Sequence, residues 1–372
     1  MVFMIGCNHQ NGTTIHPTEI NIPTPGGENN HVIDAQKISF DDSGLALRIQ
    51  SFENLLRLGY QSDGIDDYLF GSISDIVIDR RNRVYILDVN RQEISVFDQK
   101  GNYITTLGRR GKGPEEYEHA RTMTITDQDL LLVNSSYEIE VFDISKAEIE
   151  FNQTVQLDGI SRSICAIGNR LFVHYSGLLS QEKEFKDDGG LNMIQAYSIP
   201  DFQPLFSFGD AYKSENIAVI DRFSLGEVSC NKATSTVVFG FERFPVLQGY
   251  TLEGALKWKT YISGLKTTKL EEINESGRTK ITYSPPVGSL RDRILKSRSF
   301  FKNYQLLQID RIVMDEEEFS NKREVLSYII DSKNGEGGRV DKDIPLLFGI
   351  SKDIAVSVDE VFTESAMYRI PE

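Results

Sequence analysis

The stretch FGSISDIVIDRRNRVYILDVNRQEISVFDQKGNYITTLG, residues 70–108, decides the fold. It divides into four short runs, SDIVID, RVYILD, EISVFD and YITTLG, separated by the turn-forming Arg81-Asn82, Asn90-Arg91 and Lys100-Gly101-Asn102. Val, Ile, Tyr and Phe dominate the runs, apolar and polar residues alternate, and none has a helical period. Four antiparallel strands in succession make a meander.

The meander repeats. RTMTIT, DLLLVN, EIEVFD and EIEFNQ follow in the same order, and Val96-Phe97-Asp98 recurs as Val141-Phe142-Asp143, 45 residues later. Four strands per unit at a period of roughly 40–50 residues is the mark of a β-propeller. A lone sheet cannot bury both faces, so the units pack radially around an axis. A third unit reads SRSICAI, RLFVHYS, NMIQAYSI and LFSFGD, with a hairpin insertion around GLLSQEKEFKDDGG. The fourth is GEVSCNK, STVVFGFE, PVLQGYTL and ALKWKTYI; the fifth is YQLLQI, RIVMD, EVLSYIID and a strand near GRVDK. DEEEFSNKR, at the fifth unit's hairpin tip, reads as a solvated turn.

The sixth unit supplies only PLLFGIS, DIAVSV and SAMYRI, so its fourth strand is expected from the N-terminal segment KISFDDSGLALRIQSF, residues 37–52. Closure of this kind leaves no free sheet edge. The expected fold is therefore all-β: a six-bladed β-propeller of four-stranded antiparallel blades over residues 34–372. Pairing of the N- and C-terminal segments closes it, and a partly helical insertion separates blades four and five.

The chain of 372 residues carries a net charge of −15, which argues against sequence-independent binding to nucleic acid or an acidic membrane surface. Its five histidines (His9, His16, His31, His119 and His174) and three cysteines (Cys7, Cys165 and Cys230) show no zinc-ligand spacing. Cys165 and Cys230 are either a disulfide or two separate buried thiols.

MVFMIGC, at the start, resembles the end of a bacterial lipoprotein signal, with cleavage after Gly6 leaving Cys7 to carry the lipid; the apolar run before it is shorter than a complete signal. The polar segment after it suits a tether, so residues 1–33 are expected to be a signal remnant and flexible linker. The expected location is the cell envelope, facing the periplasm or anchored to the outer membrane, with membrane contact only through this lipid.

The segment GNYITTLGRRGKGPEEYEHARTMTI, residues 101–125, looks like a phosphate cradle. Aligned on Gly111-Lys112, however, a Walker loop would have Thr106 at its first glycine and Gly113 at its hydroxyl position, and a strand follows instead of a helix. The dinucleotide fingerprint fails at Glu116. As a joint between blades the same residues need no ligand: Gly108, Gly111 and Gly113 permit positive φ, Pro114 stiffens the crossing, and Tyr117 packs between units. The cations Arg109, Arg110 and Lys112 neutralise Glu115, Glu116 and Glu118, or line the channel mouth together with His119 and Arg121.

The first repeat with its joint, Gly111-Lys112-Gly113-Pro114-Glu115-Glu116-Tyr117, resembles the NHL-like or TolB-like six-bladed propeller lipoproteins of Gram-negative gut bacteria. Their phrase is typically G-x-G-P-G-E-[YF], and Glu115 here replaces the third glycine. The resemblance implies a fold and an envelope location, and no settled activity.

Residues 265–302 exceed what one crossing needs and hold nine Lys or Arg against four acids. SLRDRILKSRSFF reads as a helix capped by Ser289, with Leu290, Ile294 and Leu295 as its apolar stripe. One reading is a basic lid presenting Arg291, Arg293, Lys296 and Arg298 to an anionic or polar ligand; the other is a solvated helix on the rim.

Two functions follow. The leading one is a non-catalytic binding or scaffolding module that takes a peptide, glycan or envelope protein at the channel mouth and needs no cofactor. The alternative is a metal-dependent, lactonase-like propeller hydrolase or lyase with Ca²⁺ held by inner-strand carboxylates and amides, for which Asp75, Glu227, Asn231 and Asn303 are the candidates.

Overall fold

The computed structural model describes residues 14–15, 29–35, 37, 39, 53–58, 70–176, 191–212, 217–265, 269–275, 278–284, 291–315, 320–340, 344–359 and 362–370. Six antiparallel meanders follow one another. Blade I runs Ile73–Ile78, Val84–Asp88, Glu93–Phe97 and Tyr103–Leu107; blade II runs Ala120–Ile125, Leu130–Ser135, Glu138–Asp143 and Glu150–Gln156. Blade III runs Ser161–Ile167, Arg170–Tyr175, Asn192–Ser198 and Pro204–Asp210; blade IV runs Gly226–Asn231, Thr236–Phe241, Val246–Tyr250 and Leu256–Ser263. Blade V runs Arg291–Phe300, Tyr304–Asp315, Ser320–Asp331 and Gly337–Arg339. Blade VI combines Leu346–Ile350, Ile354–Val358 and Ser365–Arg369 with the N-terminal strand Glu53–Leu58. The first strands of successive blades touch in a closed ring around a central channel. The protein is a six-bladed propeller.

The repeated Val-Phe-Asp has a local cause. Phe97 and Phe142 are buried between blades, and the aspartate after each one shapes the turn to the outer strand. Asp98 Oδ1 accepts the Lys100 N–H at 2.8 Å, and Asp143 Oδ1 accepts the Ser145 N–H at 2.8 Å. Apolar clusters fill the spaces between neighbouring blades: Tyr85, Tyr117 and Leu131 join I to II, for example, and Phe300, Leu306 and Leu347 join V to VI. The single tryptophan, Trp258, is buried between IV and V, where its indole N–H donates to the Ser332 carbonyl at 2.9 Å.

Three expectations are corrected. The helix expected at the end of the 265–302 insertion is the innermost strand of blade V, Arg291–Phe300. Its adjacent apolar pair Ile294-Leu295 imitates a helical stripe because a β-bulge falls between Ile294 and Lys296, placing an extra residue between two ladder positions. The insertion itself holds the hairpin Lys269–Glu275 and Arg278–Ser284, on which Thr14–Ile15 pairs. The fifth unit consequently begins one strand earlier than expected, and Tyr304–Asp315 is one strand, not two. Finally, ring closure occurs as expected but through Glu53–Leu58 instead of residues 37–52, with Asn54 opposite Tyr368 and Arg57 opposite Ala366. A bulge between Asn54 and Leu56 breaks the alternation that would have marked this strand.

Asn30–Asp34 adds a fifth, parallel strand to the outer edge of blade IV, so the expected tether overlaps ordered chain at residues 30–33. Cys7 and the insertion at 177–190 lie outside the described residues.

Candidate functional site at the channel mouth

Neighbouring inner strands belong to different sheets and share no ladder, so side chains tie them together. Asp75 Oδ2 accepts the Met123 N–H at 2.7 Å, Thr124 Oγ1 the Ala166 N–H at 3.2 Å, and Ser163 Oγ the Val228 N–H at 2.9 Å. Glu227 Oε2 accepts the Ser297 N–H at 3.3 Å, and Arg298 Nε donates to the Phe348 carbonyl at 3.2 Å. The disulfide Cys165–Cys230 adds a covalent link between the inner strands of III and IV, so this pair is bonded and not two free thiols.

At the centre stands a buried ionic network. Arg298 contacts Asp75 at 2.5 Å and Glu227 at 2.8 Å, while Lys296 lies 3.5 Å from Asp75 and 3.3 Å from Glu227. The Lys296 ammonium also sits over the Phe348 ring, 4.6 Å from its centre. Burial by itself would raise the Glu227 carboxyl, but the charges of Arg298 and Lys296 outweigh it and hold the group below its ordinary range. Two acids face two bases, so the network is neutral.

The network divides the channel. On one side is a cavity of about 440 Å³ to which all six blades contribute, including Ile76, Met123, Ile164, Val228, Arg298 and Phe348. On the other side, where the chain enters the inner strands, a cavity of about 260 Å³ is lined by Thr122, Arg162, Glu227, Glu242, Ile294 and Leu295.

The inner strands carry a repeated irregularity. Register shifts in the inner strands of I, II, III, V and VI insert Ser74, Arg121, Arg162, Leu295 and Phe348 as bulged residues; the inner strand of IV runs without one. Bulges re-aim side chains and are enriched beside binding sites. Two of these five end in buried polar atoms with no hydrogen-bond partner among the described residues: Ser74 Oγ and Arg162 Nε. Burial and the neighbouring Arg162 charge together push the Arg121 guanidinium below its ordinary value. Arg121 is exposed, whereas Arg162 is half-buried and lines the smaller cavity. A guanidinium is suited to a carboxylate or other anion.

The residues expected at the mouth separate into three groups. Arg109, Arg110 and Lys112 are exposed in the joint and are engaged: Arg109 Nε donates to Glu116 at 2.8 Å, Arg110 Nη2 to the Asn90 carbonyl at 2.8 Å, and Lys112 lies 3.4 Å from Glu118. The cradle itself is filled from within, since Glu116 Oε2 accepts the Gly113 N–H at 2.9 Å. Lys296 and Arg298 are not on a lid; as inner-strand residues they belong to the central network. The side chains of Arg291 and Arg293 lie outside the described ones. His119 is exposed one residue before the inner strand of II, and Arg121 stands at the mouth.

The carboxylates considered for Ca²⁺ do converge, but on cations: Asp75 and Glu227 hold Arg298 and Lys296. Asn231 donates to the Tyr304 carbonyl at 3.0 Å, and Asn303 to Asp331 at 2.8 Å. Among the described residues no three His, Cys, Asp or Glu side chains group as a metal site. Arg162, Ser74 and Glu242 were missed from the sequence; the only signal was polar residues interrupting alternation, as in Ser161-Arg162-Ser163.

No curated protein matches the chain. A family profile, DUF5128, described as a 6-bladed beta-propeller, matches residues 61–223. Two solved structures share the fold at low identity. One is a Bacteroides fragilis protein described as exported, 10% identical, with 93% of this chain and 100% of that chain covered at a TM-score of 0.54. The other is a DUF4221 family member from Bacteroides vulgatus, 10% identical, with 86% and 97% covered at a TM-score of 0.52. Sequence profile, structural neighbours and coordinates agree on one architecture, the six-bladed β-propeller.

Proposed function

We propose that this protein is a non-catalytic binding module of the bacterial cell envelope that receives a peptide, a glycan or part of an envelope protein at the channel mouth. One observation carries the reading: Arg162 lines a cavity that the ionic network closes from behind, and its guanidinium makes no ion pair or hydrogen bond among the described residues. The export half of the reading is supported by the Cys165–Cys230 disulfide, since such bonds persist in oxidising compartments. The Gly6-Cys7 junction and the exported Bacteroides fragilis relative support it too.

The test has two parts. Mass analysis of membrane-extracted protein should find acylated Cys7. Purified protein screened by calorimetry against peptides and oligosaccharides should bind a member of the panel, and Arg121→Glu with Arg162→Glu should abolish that binding. A ligand held equally well by the double variant would defeat the reading.

A further inference from the structure

Among the described residues, Arg162 is one of two charged side chains left unengaged in the 260 Å³ cavity. Glu242, at the end of the second strand of blade IV, lines the same space and makes no ion pair among the described residues. The cavity's other carboxylate, Glu227, is already neutralised by Arg298 and Lys296. Since Arg162 and Glu242 do not meet each other, a cation and an anion are held apart within one small cavity. Ile294 and Leu295 give the same cavity an apolar lining. Gly240 leaves room on the blade IV side: a Cβ built there would have Leu247 as its nearest neighbour, at 4.0 Å. The volume lies just below the roughly 300–1,000 Å³ of sites for drug-sized molecules, which suits a small solute better than a folded partner.

We infer that this cavity takes a small zwitterion, a free α-amino acid or very short peptide with an apolar side chain. Its carboxylate is placed on Arg162, its ammonium on Glu242, and its side chain on Ile294 and Leu295. A plain anion would leave Glu242 facing like charge, and a plain amine would leave the Arg162 guanidinium unpaired. A zwitterion satisfies both. The inference rests on the mouth-binding reading above and narrows it to one ligand chemistry.

Calorimetry on the purified full chain tests it with five probes: L-leucine, the dipeptide Leu-Leu, N-acetyl-leucine, leucinamide and D-galacturonate. The zwitterions should bind, with the dipeptide distinguishing a peptide end from a free amino acid. Acetylation of the amine or amidation of the carboxylate should each weaken binding by roughly tenfold or more, because a buried charge is then left unpaired. Arg162→Gln should abolish zwitterion binding, whereas Glu242→Gln should reduce L-leucine to the affinity of N-acetyl-leucine without weakening the latter. Gly240→Val, which fills the cavity without touching either charge, should block all probes while leaving the unfolding temperature near that of the wild type. Absence of binding by both zwitterions, galacturonate or N-acetyl-leucine binding as tightly as L-leucine, or indifference to Arg162→Gln would overturn the inference. If some other peptide or glycan binds in a manner dependent on Arg121 and Arg162, only the zwitterion assignment falls. If nothing binds at the mouth, both readings fall.

Discussion

Arg298 of blade V joins Asp75 of blade I across the channel, with Nη2 2.5 Å from Oδ1, Nη1 2.8 Å from Glu227 of blade IV, and Nε donating to the Phe348 carbonyl of blade VI at 3.2 Å. One guanidinium therefore connects four blades that share no backbone ladder. Together with Lys296 it also seals the back of the mouth cavity. The stability of the ring and the blindness of the site thus depend on the same side chain.

Replacing Arg298 with Met would leave Asp75 and Glu227 buried with Lys296 as their one remaining cation. Breaking a buried pair from one side costs roughly 3–5 kcal/mol. Urea unfolding of Arg298→Met should show a loss of that order, and neutralising the acids as well (Asp75→Asn, Glu227→Gln) should restore a substantial part. An unchanged midpoint for the single variant would mean that the network contributes nothing.

Acid should destabilise the fold partly through His174. The ring is fully buried, Nε2 lies 3.1 Å from the Ser224 carbonyl, and burial pushes its pKa down to about 3. Between its ordinary pKa near 6.5 and about 3, the unfolded chain binds the proton and the native state does not. Stability therefore falls as pH falls through that window, by up to about 1.4 kcal/mol per pH unit. Glu140 opposes it: burial raises its carboxyl to about 7, so its contribution is lost as pH rises from 4.5 to 7. Melting temperatures should drop less steeply on acidification in His174→Gln, and Glu140→Gln should gain most near neutral pH.

The joint between blades I and II contains a strained residue. Glu115 has φ of 60°, a left-handed conformation that suits glycine. Glu115→Gly should stabilise by about 0.5–1 kcal/mol once the glycine's greater unfolded-state entropy is subtracted. Gly108→Ala should do the reverse and more strongly. Gly108 has φ of 74°, and a Cβ there would lie 2.0 Å from the Tyr117 ring. Thermal unfolding of the two variants should shift in opposite directions.

The Cys165–Cys230 bond closes a 65-residue span of sequence between blades III and IV. Loop-closure entropy assigns such a bond about 4 kcal/mol, and measured values are typically about 2–4 kcal/mol. Cys165→Ser with Cys230→Ser should lose stability in that range under oxidising conditions and behave like the reduced wild type. Equal stability with and without reductant would argue against a structural bond.

Much of the fold was legible because its cues are short-range. Alternation in SDIVID and EIEVFD, turn residues between runs, and Asp98 and Asp143 after buried phenylalanines each operate within a few residues. The errors share one cause. At Leu55 and Leu295 a bulge places an extra apolar residue in the strand, so a pattern read at period two fails there. Arg121 was expected at the mouth from its position in the crossing, whereas nothing in the sequence set Arg162 and Glu242 apart from ordinary surface charges.

By itself, the sequence determined that strands would form in fours and that a short last unit needed help from the first residues, because pleating and turn chemistry are local. The tertiary structure alone decided which polar groups meet. Asp75 and Arg298 are 223 residues apart and become partners only when the ring closes and curvature brings the inner strands to one axis. The same closure turned expected lid cations into a plug and left Arg162 facing an open cavity, since burial and charge pairing depend on neighbours that no local pattern encodes.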